Sequence, residues 1–370
     1  MLEQSIRTLA EAGKAAEVLA TEDGSRLLIL AYGARVLGLY PPQDDQSFYW
    51  ANPALDDAAS ARAMFASDGW HNTGGDRTWL APELDTFYPD ARLDRYVQPR
   101  ALDMSDYALE RSGGGLALSR RMTLHLARPD REVDLRLVKW LGPAPHPLRE
   151  EADLAGVLEG VGYAGYTQRT SLELVGRSAG SGATLGLWNL IQLPPGGELL
   201  VPTYSRARPR HYFGEIAAEH FTIEDRMLRL AVKFPKSHKL GLRAAIVAGR
   251  AGYVYPRGDS WSLVIRNFAV NPSGQYVDVP KSDPADLGYA VQVCRVDEPD
   301  YGSFFELEYH APALGDPPHP DRSDDVSQVW AFRGRREAID AVARRLLGAG
   351  IGPGPSGLDE GPATFPRNFP

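Results

Sequence analysis

Between residues 26 and 310 the chain divides into about a dozen short segments rich in apolar or β-branched residues, most of them bounded by Gly, Pro or Asp. They cover residues 26–32, 35–40, 116–126, 132–140, 166–175, 184–193, 198–204, 221–224, 227–234, 242–248, 261–268, 290–296 and 304–310. Few helical stretches separate them. Segments spaced this closely leave no room for an alternating β-α-β plan and predict an all-β, antiparallel sandwich of large sheets with a few short helices, each strand burying one face. The 37 glycines and 29 prolines supply the turns such a fold needs.

Helical spacing is confined to the two ends. Residues 4–20 place Ile6, Leu9, Ala10, Ala16 and Leu19 on one face, and residues 335–347 place Ile339, Val342, Leu346 and Leu347 on one face against a basic one. Residues 350–370 are too rich in Gly and Pro for a packed element and read as an extended tail. The expected organisation is an N-terminal helix and lead-in over 1–24, a single β-domain over 25–349 that includes the late helix, and the tail.

A formal charge of -8 disfavours nucleic acid, whose phosphates require a clustered positive field. The lone Cys294 cannot form an intramolecular disulfide, and its setting Val-Gln-Val-Cys-Arg-Val reads as a small residue on a buried strand. The first twenty residues carry charges throughout and lack the pattern of a signal peptide, and no run approaches the ~18 apolar residues of a membrane helix. A cytoplasmic protein with no membrane partner is expected. No feature of the sequence bears on oligomeric state.

Candidate chemistry concentrates in a few stretches. Residues 69–83, GWHNTGGDRTWLAPE, combine the flat faces of Trp70 and Trp79 with the directional polar groups of His71, Asn72, Asp76, Arg77 and Glu83. That mixture suits a polyol. The Gly74-Gly75 pair would let the backbone turn and approach a ligand closely. In the segment YGSFFELEYHAP, strand alternation puts Phe305, Leu307 and Tyr309 on one face and Glu306 and Glu308 on the other. Like charges so placed need cations, solvent or a ligand to compensate them, so a solvated edge strand and a binding face both remain open.

Lys233, Lys236, His238 and Lys239 crowd a Pro-bounded turn in VKFPKSHKLGL, which reads either as a basic surface loop or as the counter-charge to a carboxylate pair. Asn189 and Gln192 precede the PPGG turn of WNLIQLPPGGELLVPT, a turn that a plain hairpin would explain. The GRSAG match at Gly176–Gly180 lacks the strand-to-helix setting of a nucleophile elbow and reads as a hairpin loop. Phosphate-loop and H-E-x-x-H motifs are absent, and the eight histidines show no paired spacing, so neither metal nor organic cofactor is expected.

In order along the chain, YGARVLGL, GGDRTWLAPE, WNLIQLPPGGELLVPT, KFPKSHKLGL and FFELEYHAP resemble the galactose mutarotase-like superfamily over residues 25–333. The nearest patterns are in uncharacterised bacterial branches with a GG-x-x-x-W-x-AP segment and a late E-x-E strand. The resemblance implies a β-supersandwich whose concave sheet binds a sugar or glycan. It also implies aldose 1-epimerase-like catalysis, in which a late-strand glutamate takes the anomeric proton and an acid, typically histidine, protonates the ring oxygen. Glu308 best matches that glutamate, with Glu306 as the alternative.

The sequence departs from the pattern at the acid. Where mutarotases carry an Asn-His pair, residues 188–193 hold Asn189 and Gln192 but no histidine. His71 or His238, with Lys236 or Lys239, would then have to substitute, while Arg77 and Asp76 position hydroxyls. Two further readings stand beside this one: a non-catalytic sugar-binding or sensing protein, and a glycoside-cleaving enzyme, since glutamates two apart on a strand sit roughly 7 Å apart at Cα.

Overall fold

A computed structural model of the chain describes residues 1–233, 236–314 and 321–352. Two antiparallel sheets form a sandwich. The first has nine strands in the order Ala16–Ala20, Arg26–Leu30, Arg35–Tyr40, Asp76–Ala81, Gly186–Leu193, Gly302–His310, Val291–Glu298, His238–Leu242 and Arg210–Phe213. The second has ten, in the order Phe221–Ile223, Met227–Ala231, Glu198–Pro202, Arg250–Arg257, Ser260–Phe268, Arg322–Gly334, Gly162–Leu174, Arg131–Pro143, Gly115–Leu126 and Ala108–Ser112. The all-β antiparallel architecture expected from the strand pattern is the one observed.

Alternation along the strands explains how the layers close. Phe305 stacks on Tyr253 of the second sheet at 4.4 Å, and Tyr309 stacks on Phe268 at 4.6 Å. Odd-numbered residues of Gly302–His310 therefore fill the space between the sheets, and the even-numbered ones point to the opposite face of the first sheet. The late helix, Arg336–Leu347, packs Ile339, Val342, Ala343 and Leu347 on the outer side of the second sheet against Leu200, Val254, Leu263 and Ile265.

Several local expectations change. The helix at the start ends at Glu11, and Ala16–Ala20 is an edge strand paired in register with Arg26–Leu30. Its apolar residues satisfied a helical period only by coincidence with strand alternation. Residues 243–248 form a turn after the His238–Leu242 strand, so the strand there lies earlier than its β-branched residues indicate. Neither the PPGG turn nor the GRSAG segment joins a hairpin, because the strands that flank each lie in different sheets. Both are crossovers, and Ser178 Oγ accepts the Asp134 backbone N–H at 2.7 Å, a structural role.

The Gly74-Gly75 pair also serves the fold. Both residues have positive φ, +92° and +78°, and a Cβ on Gly74 would strike the Trp50 carbonyl while one on Gly75 would strike that of Val36. The close approach that requires glycine is to neighbouring backbone at Trp50 and Val36. No helix among the described residues is long and apolar enough to cross a membrane. Of the expected tail, residues 353–370 lie outside the described residues.

Candidate functional site

On the face of the nine-stranded sheet turned away from its partner lies a cavity of about 720 Å³. Its floor is built by alternation on five strands: Arg77 and Trp79, Trp188, Glu306 and Glu308, Cys294, and Lys239 all project from it. Register brings them together. Cys294 pairs with Glu306, Gln292 with Glu308, and Gln192 with Glu306. Trp70, Glu83, Tyr88, Tyr96, Tyr212, Lys281 and Tyr301 complete much of the wall.

The two glutamates sit in different electrostatic settings. Glu306 Oε1 accepts from Arg77 Nη2 at 2.6 Å and from Gln192 Nε2 at 3.1 Å. Glu308 Oε2 accepts from Trp188 Nε1 at 2.7 Å, its Oε1 has no partner among the described residues, and the Lys239 ammonium stands 3.9 Å away. Carboxylate oxygens of the two residues and Cys294 Sγ lie within 4.8 Å of one another. Burial is the main force raising Glu308, to about 8; Lys239 and the Trp188 bond oppose it, and Glu306 adds to it.

Lys239 is the hub of the acidic groups. Its Nζ reaches Glu83 at 2.9 Å and Asp278 at 3.8 Å and lies 4.3 Å above the Trp188 ring. Burial alone would lower its pKa, but Glu83, Glu308 and Asp278 together hold it well above the ordinary lysine value. Burial first, then Glu306 and Glu308, push the Cys294 thiol far up, so it is a neutral wall of the cavity. Although Cys294 and the two glutamates could converge on a metal ion, Arg77 and Lys239 already supply positive charge there, which disfavours a second cation.

The cavity gathers seven of the expected residues: Trp70, Arg77, Trp79, Glu83, Lys239, Glu306 and Glu308. Gln192 stands behind them as a bond partner of Glu306. The remaining five lie elsewhere. His71 is buried with Nδ1 against the Tyr32 hydroxyl at 2.6 Å and Nε2 against the Ser67 carbonyl at 2.9 Å, which commits both ring nitrogens to the fold. His238, adjacent to Lys239 on its strand, points to the opposite face, and burial lowers it to about 4, so it is neutral near pH 7.

Asp76 and Asn189 also face the space between the sheets. Asp76 takes bonds from Arg266 and Tyr166, and Asn189 Oδ1 accepts from Thr78 at 2.7 Å and Gln168 at 2.8 Å. Lys236 is exposed and does not line the cavity. In each strand the expected residue lies one position away from one that does reach the site: Asp76 beside Arg77, Asn189 beside Trp188, His238 beside Lys239. Without the register, sequence could not decide which neighbour faced inward. Trp188, Cys294, Tyr212 and Tyr301 were missed; pairing Cys294 with Glu306 would have found the second.

The sandwich defines an all-β protein with a cavity on the outer face of one sheet, floored by paired charged groups. The chain belongs to DUF6786, a family of unknown function whose model matches residues 2–352. No curated protein matches it. Among solved structures, it is similar to a GalM/aldose epimerase homologue from C. elegans at 8% identity and a TM-score of 0.41, covering 87% of this chain and 99% of that one.

Proposed function

We propose that the protein binds a carbohydrate in this cavity and opens and recloses its ring at the anomeric carbon, with Glu306 and Glu308 as the proton-transferring pair. One observation carries the reading: two buried carboxyl groups with oxygens within 4.8 Å of Cys294 Sγ and of each other occupy opposed environments, one paired to Arg77 and the other held protonated by burial. Around them Arg77 Nε and Nη1, Trp79 Nε1 and Glu308 Oε1 have no partner among the described residues, a mixed set of donors and an acceptor such as a polyol would satisfy.

The chemistry suits a closely spaced pair, because the anomeric hydroxyl and the ring oxygen are bonded to the same carbon. Glu306 takes the hydroxyl proton as its electrons form the carbonyl. The bond from the anomeric carbon to the ring oxygen breaks, and that oxygen receives the proton of Glu308. Rotation of the open form about the bond between the anomeric carbon and its neighbouring ring carbon presents the other carbonyl face, and the reverse steps return the other anomer and both proton states. This assignment makes Glu308 the acid, so no histidine is needed, and it exchanges the roles that the mutarotase resemblance implies.

Glycoside cleavage fits less well. Its carboxyl groups flank the bond about 5–5.5 Å or 6.5–9.5 Å apart, whereas these two lie side by side on one strand with oxygens within 4.8 Å. Saturation-transfer NMR on α- and β-aldoses tests the proposal. Accelerated anomer exchange, lost in Glu308→Gln, supports it; binding without acceleration leaves a non-catalytic sugar-binding protein.

A further inference from the structure

The cavity is several times larger than a hexose, and its aromatic residues are not scattered. From Trp188 beside Glu308, ring centroids run to Trp79 at 5.3 Å, on to Trp70 at 5.6 Å and on to Tyr301 at 5.7 Å. Exposure rises along the same line. Trp188 is 1% exposed and Trp79 4%, Trp70 is half-buried, and Tyr301 is 37% exposed. The file therefore leads from the carboxyl pair to the mouth.

Its inner and outer halves differ chemically. Lys239 covers Trp188 at 4.3 Å and Arg77 covers Trp79 at 4.0 Å, so cations already occupy the inner rings. Arg77 lies farther from Trp70, at 5.2 Å, and no cation lies over Tyr301 among the described residues. The outer rings offer apolar surface to something else. Phe304 and Val296 extend that surface in the cavity wall.

The Trp70 ring and the Tyr301 backbone are also fixed in place. Trp70 Nε1 donates to Asp103 Oδ2 at 2.6 Å, and Asp103 is gripped at both oxygens by the Arg35 guanidinium, 2.8 and 2.9 Å away and fully buried. The Tyr301 carbonyl accepts from Asn72 Nδ2 at 3.1 Å. Residues Trp70 and Asn72 thus set the mouth of the cavity through partners far from the carboxyl pair. A Trp70 face held this way binds without the entropy cost of ordering it.

We propose that Trp70 and Tyr301 form a second sugar-binding subsite, and that the ligand is a disaccharide or longer oligosaccharide whose reducing-end unit reaches Glu306 and Glu308. This rests on the ring-opening reading, which requires a free anomeric carbon at the floor. A linkage through the hydroxyl that faces the aromatic file then directs the next unit toward the mouth. Aromatic faces suit the apolar C–H surface of that unit, and the loss of one such platform costs binding without touching proton transfer.

Calorimetric titration of the full chain with glucose, maltose, cellobiose and lactose, which share a reducing-end glucose, tests the subsite. At least one disaccharide is expected to bind about tenfold more tightly than glucose, the scale of one well-placed aromatic contact. Tyr301→Ala should drop the ratio of disaccharide to glucose affinity toward one, and Tyr301→Phe, which keeps the ring, should restore it. Tyr301 is exposed enough that neither change threatens the fold. Glucose binding with no disaccharide advantage, or an unchanged ratio in Tyr301→Ala, overturns the subsite and leaves ring opening standing. No binding by any of the sugars overturns both.

Discussion

Arg77 Nη2 donates to Glu306 Oε1 across 2.6 Å although the two residues are 229 positions apart in sequence. Their strands are not neighbours: Gly186–Leu193 lies between them, and Arg77 reaches over Leu190, its register partner, to the carboxylate beyond. Both groups are nearly buried, at 1% and 7% side-chain exposure, so each is the other's main compensation. Arg77→Ala should destabilise the protein by about 3–5 kcal/mol, because it leaves Glu306 charged and unpaired. Urea unfolding of Arg77→Ala, Glu306→Gln and the double variant measures the coupling, and additive losses would exclude it.

Glu308 predicts two pH dependences with the same sign. Its folded value of about 8 lies above the ordinary 4.5, so the folded state keeps a proton that the unfolded chain releases. Its contribution to stability is complete below about 4.5, falls as pH rises, and is gone above about 8. Thermal unfolding of the native chain should therefore lose ground to Glu308→Gln between pH 5 and 8.5, and a constant difference between them would contradict the assignment. Anomer exchange, which requires the proton, should fall through the same upper value.

Lys239 lowers Glu308 while burial raises it. Replacing it with Met should push the alkaline limit of turnover to higher pH, since the cation that lowers Glu308 most is removed. It should also cost about 3 kcal/mol or more, because Glu83, Asp278 and Glu308 lose their shared counter-charge. A pH–rate profile that did not move would place Glu308 outside proton transfer.

His71→Ala separates structure from chemistry. The imidazole bonds Tyr32 and the Ser67 carbonyl and does not line the cavity, so its loss should cost about 1–3 kcal/mol of stability. Anomer exchange per folded molecule should stay at the native rate below the melting transition. A large fall in turnover at intact fold would return His71 to the list of proton donors.

Asp76 and Arg266 form a second buried pair, between the sheets, joined by Tyr166 and through it Tyr49. Asp76→Asn should destabilise by about 3–5 kcal/mol because Arg266 would remain charged without its carboxylate. Its effect on sugar affinity should be small, a contrast with Arg77 that circular dichroism melts and calorimetry on the same samples would show.

The fold was legible because strand alternation and turn residues are local signals, and Phe305, Leu307 and Tyr309 against Glu306 and Glu308 needed nothing beyond a period of two. The site was legible in part. Trp70, Arg77, Trp79 and Glu83 came from one compositionally unusual stretch, and two of its polar members, His71 and Asp76, pointed elsewhere. Which way a side chain faces depends on a register set by strands distant in sequence, and that is why Lys239 and Trp188 were hard to separate from His238 and Asn189. Strand Arg250–Arg257 went unread because the glycine and proline within it look like turn residues, yet Gly252 leaves space for Leu347 of the late helix.

The Gly302–His310 strand fixes both the core and the carboxyl pair with the same alternation, and it sits centrally, five places from one edge of its sheet and three from the other. A slip of one residue would bury Glu306 and Glu308 between the sheets and turn Phe305, Leu307 and Tyr309 toward the cavity. A register slip would therefore remove both glutamates from the cavity at once. Tyr301 at the mouth precedes that strand and is free of the constraint, whereas the direction in which Glu306 and Glu308 point is tied to the register of the whole sheet.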